Sequence, residues 1–141
     1  MNDYFVAGRY RNKEMILDLV RRIRAAGKTA YCFVESAASI KNVGSIEGDG
    51  EAAISQFEQL PDWRNHPSVR EIFETDMAAE RAAEKFILVL PAGKSSHIEA
   101  GVAYGLGKTC IVIGEQKEAE SLYLIFHEHY ATAEEFLASL S

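Results

Sequence analysis

Residues 86–113 read FILVLPAGKSSHIEAGVAYGLGKTCIVI, and this stretch decides the fold class. Phe86–Leu90 is an apolar run of strand length, ended by Pro91 and Gly93. A helix built from small residues follows, opened by the capping-box pattern Ser96-His-Ile-Glu99 and ended at Gly105 or Gly107. Thr109–Ile113 is apolar again. Two strands without polar alternation are buried on both faces, as in a parallel sheet, and a helix between them makes a right-handed crossover.

The same alternation extends in both directions. Tyr4–Ala7 reads as a first strand broken by Gly8, and Asn12–Ala26 as an amphipathic helix with Met15, Ile16, Leu19, Val20 and Ile23 on one face. Gly27 stops that helix, and Thr29–Val34 is a second buried strand. The segment Glu35–Pro67 is a glycine-punctuated loop with a short helix over Glu51–Leu60. Ser68-Val-Arg-Glu71 opens a helix running to about Ala83. After the fourth strand, a helix is expected over Lys117–Phe126, and Thr132-Ala-Glu-Glu135 caps a final one. The expectation is one α/β doubly wound domain over residues 1–141, with about five mostly parallel strands and helices on both faces. Ligands bind beyond the carboxyl ends of such strands, which singles out the loops Gly8–Asn12, Glu35–Glu51 and Pro91–Glu99.

Composition narrows the function. With 141 residues, 48% of them hydrophobic, the chain can build one real core, which excludes a disordered tail or a disulfide-stapled miniprotein. A net charge of −6 argues against non-specific nucleic-acid binding. Residues 1–10 do not read as a signal peptide, and no apolar run approaches a membrane span. Cys32 and Cys110 each sit inside an apolar run, as buried thiols of a reducing cytoplasm do.

Two motifs mislead. Gly107-Lys108-Thr109 imitates the end of a P-loop, but Val102 stands where the first glycine belongs, and the triplet closes a helix instead of opening one. His127 and His129, with His66 and His97 elsewhere, have no further ligand pattern, so no metal site is expected. Glu99 reads two ways: as the return half of the Ser96 capping box, or as a carboxylate delivered by a Gly/Ser loop beside anion-stabilising N–H groups. Asp76, alone in the middle of a helix, reads as solvated face. Gly8-Arg9-Tyr10-Arg11 is either a basic loop or a grip for a phosphate or carboxylate.

Taken together, Tyr4-Phe-Val-Ala-Gly8, Asp76 in the helix before the third strand, the Gly/Ser loop and Glu99-Ala-Gly-x-Ala-x-Gly-x-Gly-Lys108 resemble the nucleoside 2-deoxyribosyltransferase family. The related nucleotide 5′-monophosphate N-glycosidases share this plan, and the resemblance spans residues 3–115. It implies that Glu99 is the nucleophile on the anomeric carbon, that Asp76 protonates the leaving base, and that Tyr4 orients the Glu99 carboxylate. Gly8, Arg9 and Tyr10 of the first loop, with Gly93, Lys94, Ser95 and Ser96 of the third, are the implied substrate-binding residues. No cofactor and no metal are implied. The expected partner is a small-molecule nucleoside or nucleotide, not nucleic acid or membrane.

The chain departs from that pattern at Gly93, where the transferases carry a sugar-binding Asp six residues before the nucleophile. Lys94, Ser95 and Ser96 beside it suit a 5′-phosphate. Glu84-Lys85 replaces an Ala-Asp pair. Three other readings stay open: a nucleotide-binding module without turnover, an interaction protein in which Glu99 is only a cap, and an NAD-cleaving domain like the TIR domains. The resemblance also implies a homodimer or higher homo-oligomer, for which Phe57, Trp63, Tyr123, Phe126 and Tyr130 are the candidate aromatic contacts.

Overall fold

The computed structural model describes residues 1–35 and 61–140. The Glu51–Leu60 helix, Phe57 and most of the Glu35–Pro67 loop lie outside them. Five strands, β1 (Asn2–Ala7), β2 (Ala30–Cys32), β3 (Ala83–Val89), β4 (Thr109–Ile113) and β5 (Glu128–Tyr130), form one sheet in the order β2-β1-β3-β4-β5. Every pairing is parallel. The α/β sheet expected from the strand pattern is therefore present. The fifth strand, whose position the sequence did not reveal, is a three-residue edge.

Alternate residues of each strand feed two cores. Tyr4, Val6, Ile87, Val89, Ile111 and Ile113 pack on one face against helix α1 (Lys13–Ala25), which contributes Ile16, Leu19, Val20 and Ile23. Phe136, from the C-terminal helix Ala133–Ala138, joins the same core. Phe5, Ala7, Phe86, Leu88, Cys110 and Val112 form the other core, under helices α2 (Pro67–Ala82) and α3 (Lys94–Gly105). Phe86, Ile87 and Leu88 are wholly buried, as strands covered on both sides must be.

Helix ends explain where the sequence reading shifts. α3 starts at Lys94, with Gly93 as its extended N-cap, and its first bond runs from the His97 N–H to the Gly93 carbonyl at 3.2 Å. Ser96 is thus a buried first-turn residue, and Glu99 sits in the second turn. The capping-box reading of Ser96 and Glu99 is overturned. α2 is likewise capped by His66, whose Nδ1 accepts the Ser68 N–H at 3.2 Å, with Pro67 as first helical residue. The expected Lys117–Phe126 helix is only a 3₁₀ turn, Ser121–Ile125, capped by the Glu120 side chain. Glu120 accepts the Leu122 N–H.

Gly107 closes α3 in the left-handed region, φ +80°. Lys108 N–H reaches the Ala103 carbonyl and Gly107 N–H the Tyr104 carbonyl, both at 3.0 Å. The lookalike P-loop glycine is this helix stop. The last helix keeps its expected cap: Thr132 Oγ1 accepts the Glu135 N–H at 3.2 Å, and Glu135 Oε2 accepts the Ala131 N–H at 3.0 Å. Because β1 continues through α1 to β2 on one side while β3 lies on the other, the strand order reverses between β1 and β3. Their carboxyl ends, Ala7–Gly8 and Val89–Leu90, are where this fold class places a ligand.

Candidate active site

Two loops meet at that reversal. A Cβ on Gly8 would lie 2.8 Å from Ile16 Cδ1 and 3.2 Å from the Val89 carbonyl oxygen, so only glycine lets the chain leave β1 this close to β3. Asn12 Nδ2 donates to the Pro91 carbonyl at 3.0 Å, tying the first loop to the third. The Arg9 stem runs past the start of α3, with its Cγ 4.0 Å from a Cβ position on Gly93. Tyr10 packs its ring edge against Phe33 at 6.4 Å and lies under the Lys13 ammonium at 5.0 Å. The structure therefore gathers Gly8, Arg9, Gly93 and the N-terminus of α3, whose Lys94 and Ser95 are exposed and Ser96 buried.

One turn further along, α2 and α3 face each other across three carboxyl groups: Asp76 and Glu80 on α2, and Glu99 on α3. The floor beneath them is aromatic. Tyr31 stacks on Phe5 with centroids 5.3 Å apart, and Phe5 on Phe86 at 5.7 Å. The Tyr31 hydroxyl donates to Asp76 Oδ1 at 3.4 Å. Glu80 is fully buried, and neither of its carboxyl oxygens has a hydrogen-bond partner among the described residues.

An apolar floor and like charges both disfavour ionisation. Burial pushes Asp76 up to about 6, opposed by the Tyr31 hydroxyl. Burial first, and then the Asp76 charge, push Glu80 up to about 7, with Lys108 and the Ala103 backbone opposing. Glu99 is raised well above the ordinary carboxylate range by burial, then by Asp76 and Glu80. Near neutral pH this group of carboxyls holds protons that solvent-exposed carboxylates would have lost. Such a site can offer one ionised and one protonated carboxyl side by side.

The sequence reading made Asp76 a solvated residue. The helix instead turns it inward. Glu80, one turn on, and Tyr31, inside an apolar run, were missed. The Asp76–Glu80 spacing of four residues was the available signal for Glu80; Tyr31 had none.

Tyr4 is a correction. It is buried in the core of the opposite face, edge-on to Phe136 at 5.7 Å. Burial, then Glu128, raise its hydroxyl pKa. Strand residues alternate sides, so Phe5 faces the helices that carry Asp76 and Glu99 while Tyr4 faces away. It does not meet Glu99.

His127 has structural partners. His127 stacks on Tyr104 at 5.8 Å and its Nδ1 accepts the Cys110 N–H at 2.9 Å. Among the described residues no cluster of His, Cys, Asp and Glu is arranged to hold a metal ion.

Comparison with solved structures bears on this geometry. The chain superposes on the 2-deoxyribosyltransferase of the psychrotolerant bacterium Bacillus psychrosaccharolyticus with a TM-score of 0.62, over 97% of its own length and 94% of the other, at 16% identity. The fold is that of the nucleoside deoxyribosyltransferases. The CMP N-glycosidase BcmB of Clostridium botulinum has the same fold, with a TM-score of 0.58, 18% identity and coverage of 97% and 96%. No protein-family model and no curated protein matches the sequence. Within the deoxyribosyltransferase fold, the carboxyl cluster lies between the two helices flanking β3, beside the reversal of strand order.

Proposed function

We propose that the protein cleaves or transfers at the N-glycosidic bond of a nucleoside, or of a nucleoside 5′-monophosphate, in ribo or deoxy form. The observation that carries this reading is the coupled pair Asp76 and Glu99, presented from facing helices over the Tyr31–Phe5–Phe86 floor. Ionised Glu99 attacks the anomeric carbon, forming a glycosyl ester as the bond to the base breaks. Asp76 gives its proton to the departing base. Water or a second base then attacks the same carbon, the ester bond breaks, Glu99 leaves as carboxylate, and Asp76 recovers a proton from the attacking group.

The raised pKa of Glu99 fits this scheme when one proton is shared. Moving it from Glu99 to Asp76 creates the nucleophile and the acid in one step, with no change in net charge. Tyr31, not Tyr4, is the tyrosine that reaches the pair.

Phosphate recognition falls to Arg9 and to the first turn of α3, where Lys94, Ser95 and Ser96 lie at the positive end of the helix dipole. Glu99 lies five residues on from Lys94, about 7.5 Å of helix at 1.5 Å per residue. That is the scale of a sugar phosphate. Gly93 in place of an acidic sugar ligand favours a 5′-monophosphate. The two relatives of known fold are named for deoxyribosyl transfer and CMP N-glycosidase chemistry, and both reactions remain within the proposal.

Cys32 and Cys110 are buried free thiols, each pushed up to about 11 by burial, which suits a reducing cytoplasm. No helix among the described residues is long and apolar enough to cross a membrane. A second copy of the chain is the proposed partner. Phe126 is buried in one core and Tyr130 packs against the other, which leaves these two aromatics little surface for a contact. Exposed Ile98 and Tyr104 on α3 and Leu106 just after it, with Leu122 at 72% and Leu124 at 84% exposure, offer the apolar surface instead.

The test is chromatographic. The purified protein is incubated with ribo- and deoxyribonucleosides, their 5′-monophosphates and NAD, with and without a second base. Release or exchange of base by the wild type supports the proposal. Saturable nucleotide binding without any released base moves the protein to the binding-module reading.

A further inference from the structure

Of the three carboxyls between α2 and α3, Glu80 alone has no task in the proposed reaction. Its side chain is wholly out of solvent, whereas Asp76 and Glu99 keep partial exposure. Glu80 therefore touches no ligand, and whatever it does it does through its neighbours. It follows Asp76 by four residues, so both side chains project from one face of α2, about 6 Å apart along the axis. Neither of its oxygens has a hydrogen-bond partner among the described residues. On the α3 side stand Ala100 and Ala103, both buried, with methyl groups that donate no hydrogen bond. The Lys108 ammonium goes to the Arg81 carbonyl at 2.9 Å.

A carboxyl placed like this destabilises the fold once it ionises, and an apolar side chain of similar size would not. Packing does not account for it. Its charge, when it forms, is unpaired and screened little by water, so it acts on the groups around it. Those groups are Asp76 on its own helix, Glu99 on α3 and the Cys110 thiol on β4, with Lys108 as the opposing cation. Burial and then the Asp76 charge raise Glu80, while burial, then Asp76, then Glu80 raise Glu99. The sign follows from repulsion between like charges. Near pH 6, where Asp76 titrates, the pair gives up its first proton while Glu80 is still neutral. Above about 7 Glu80 is ionised, and a further negative charge beside it is disfavoured. The proton thereby retained is the one the departing base needs.

We propose that Glu80 is a positioning residue whose buried charge keeps the last proton on the Asp76–Glu99 pair as the solution turns alkaline. Its use in catalysis rests on the N-glycosidic reading; its hold on the proton does not. The test reads protonation itself. Carbon-13 NMR of the full chain, labelled at its Asp and Glu side-chain carboxyls, follows Asp76 and Glu99, assigned with Asp76→Asn and Glu99→Gln. In Glu80→Gln the last proton of the pair leaves at a pH lower by about half a unit or more, and the first step stays in place. Glu80→Met gives the same displacement, and it melts higher than the wild type at about pH 8 because no buried charge remains. In kcat/KM the alkaline limb moves down with the NMR step in both variants, which a merely structural residue would not cause. A last step unmoved in both variants overturns the proposal. An alkaline limb that stays put while base is released overturns the part of Glu80 in the reaction. A displaced NMR step in a chain that releases no base supports the hold on the proton and contradicts the proposed function.

Discussion

In the proposed reaction Glu99 and Asp76 face opposite demands: a nucleophile acts as a carboxylate, and an acid acts with its proton on. Neighbouring burial and shared charge let one proton serve both. Activity therefore needs the pair singly protonated, and kcat/KM against pH is expected to be bell-shaped with a limb near 6. Glu99→Gln keeps the shape of the side chain and removes the nucleophile. It is expected to lower base release by at least ~10³-fold while nucleotide binding persists, measured by single-turnover kinetics and calorimetry. Stability carries the same signature. A carboxyl whose folded pKa is raised holds its proton more tightly in the fold, so its contribution is present at low pH and is lost as pH rises through the folded value. For Asp76 that window runs from its ordinary 3.8 to about 6, and Glu80 extends it to about 7. The melting temperature should fall across this range, and Asp76→Asn should flatten the fall. Below it, Asp3 and Glu35, held low by Thr29 and by Arg24, reverse the trend. At this scale the resemblance singled out Glu99 and Asp76 by their order along the chain, and the structure sets both among the buried carboxyls between α2 and α3. The sequence could not reveal which side of β1 Tyr4 occupies, because the strand is buried on both faces and hydrophobicity carries no phase.

Elements place these residues through their ends more than their middles. α3 begins two residues before Ser96 because Gly93 adopts the extended N-cap conformation and frees the next residues to start the helix. Ser68 and Ser96 both imitate capping boxes, yet His66 and Gly93 are the caps. Only Thr132 is a true one, and Thr132→Ala should cost about 1 kcal/mol in chemical denaturation. Gly114 is less forgiving. Its φ is +116°, and a Cβ would press on Leu90 at 2.9 Å, so Gly114→Ala should destabilise by about 1–3 kcal/mol in the same assay. Strand interiors were legible because Val, Ile and Phe run unbroken through them. β5 was not, since Glu128-His-Tyr130 is a three-residue edge with a polar composition.

At the level of the whole molecule, parallel order and strand reversal follow from alternating β and α segments, and these were readable before any coordinates. The surface was not. Aromatic content pointed to Phe126 and Tyr130 as contacts, but both are absorbed by the two cores. The exposed aliphatic residues Ile98, Leu106, Leu122 and Leu124 are the proposed contact instead. Light scattering of the wild type should give at least twice the mass of one chain, and Leu122→Asp with Leu124→Asp should return it to the monomer. The proposed reaction rests on Glu99 as the residue that captures the sugar. The direct measurement is mass spectrometry of protein acid-quenched during turnover of a nucleoside or its 5′-monophosphate, followed by peptide mapping. A glycosyl ester on the peptide at Glu99, absent from Glu99→Gln, is the expected result. Base released with no ester at Glu99, or an ester on another carboxyl, contradicts the account.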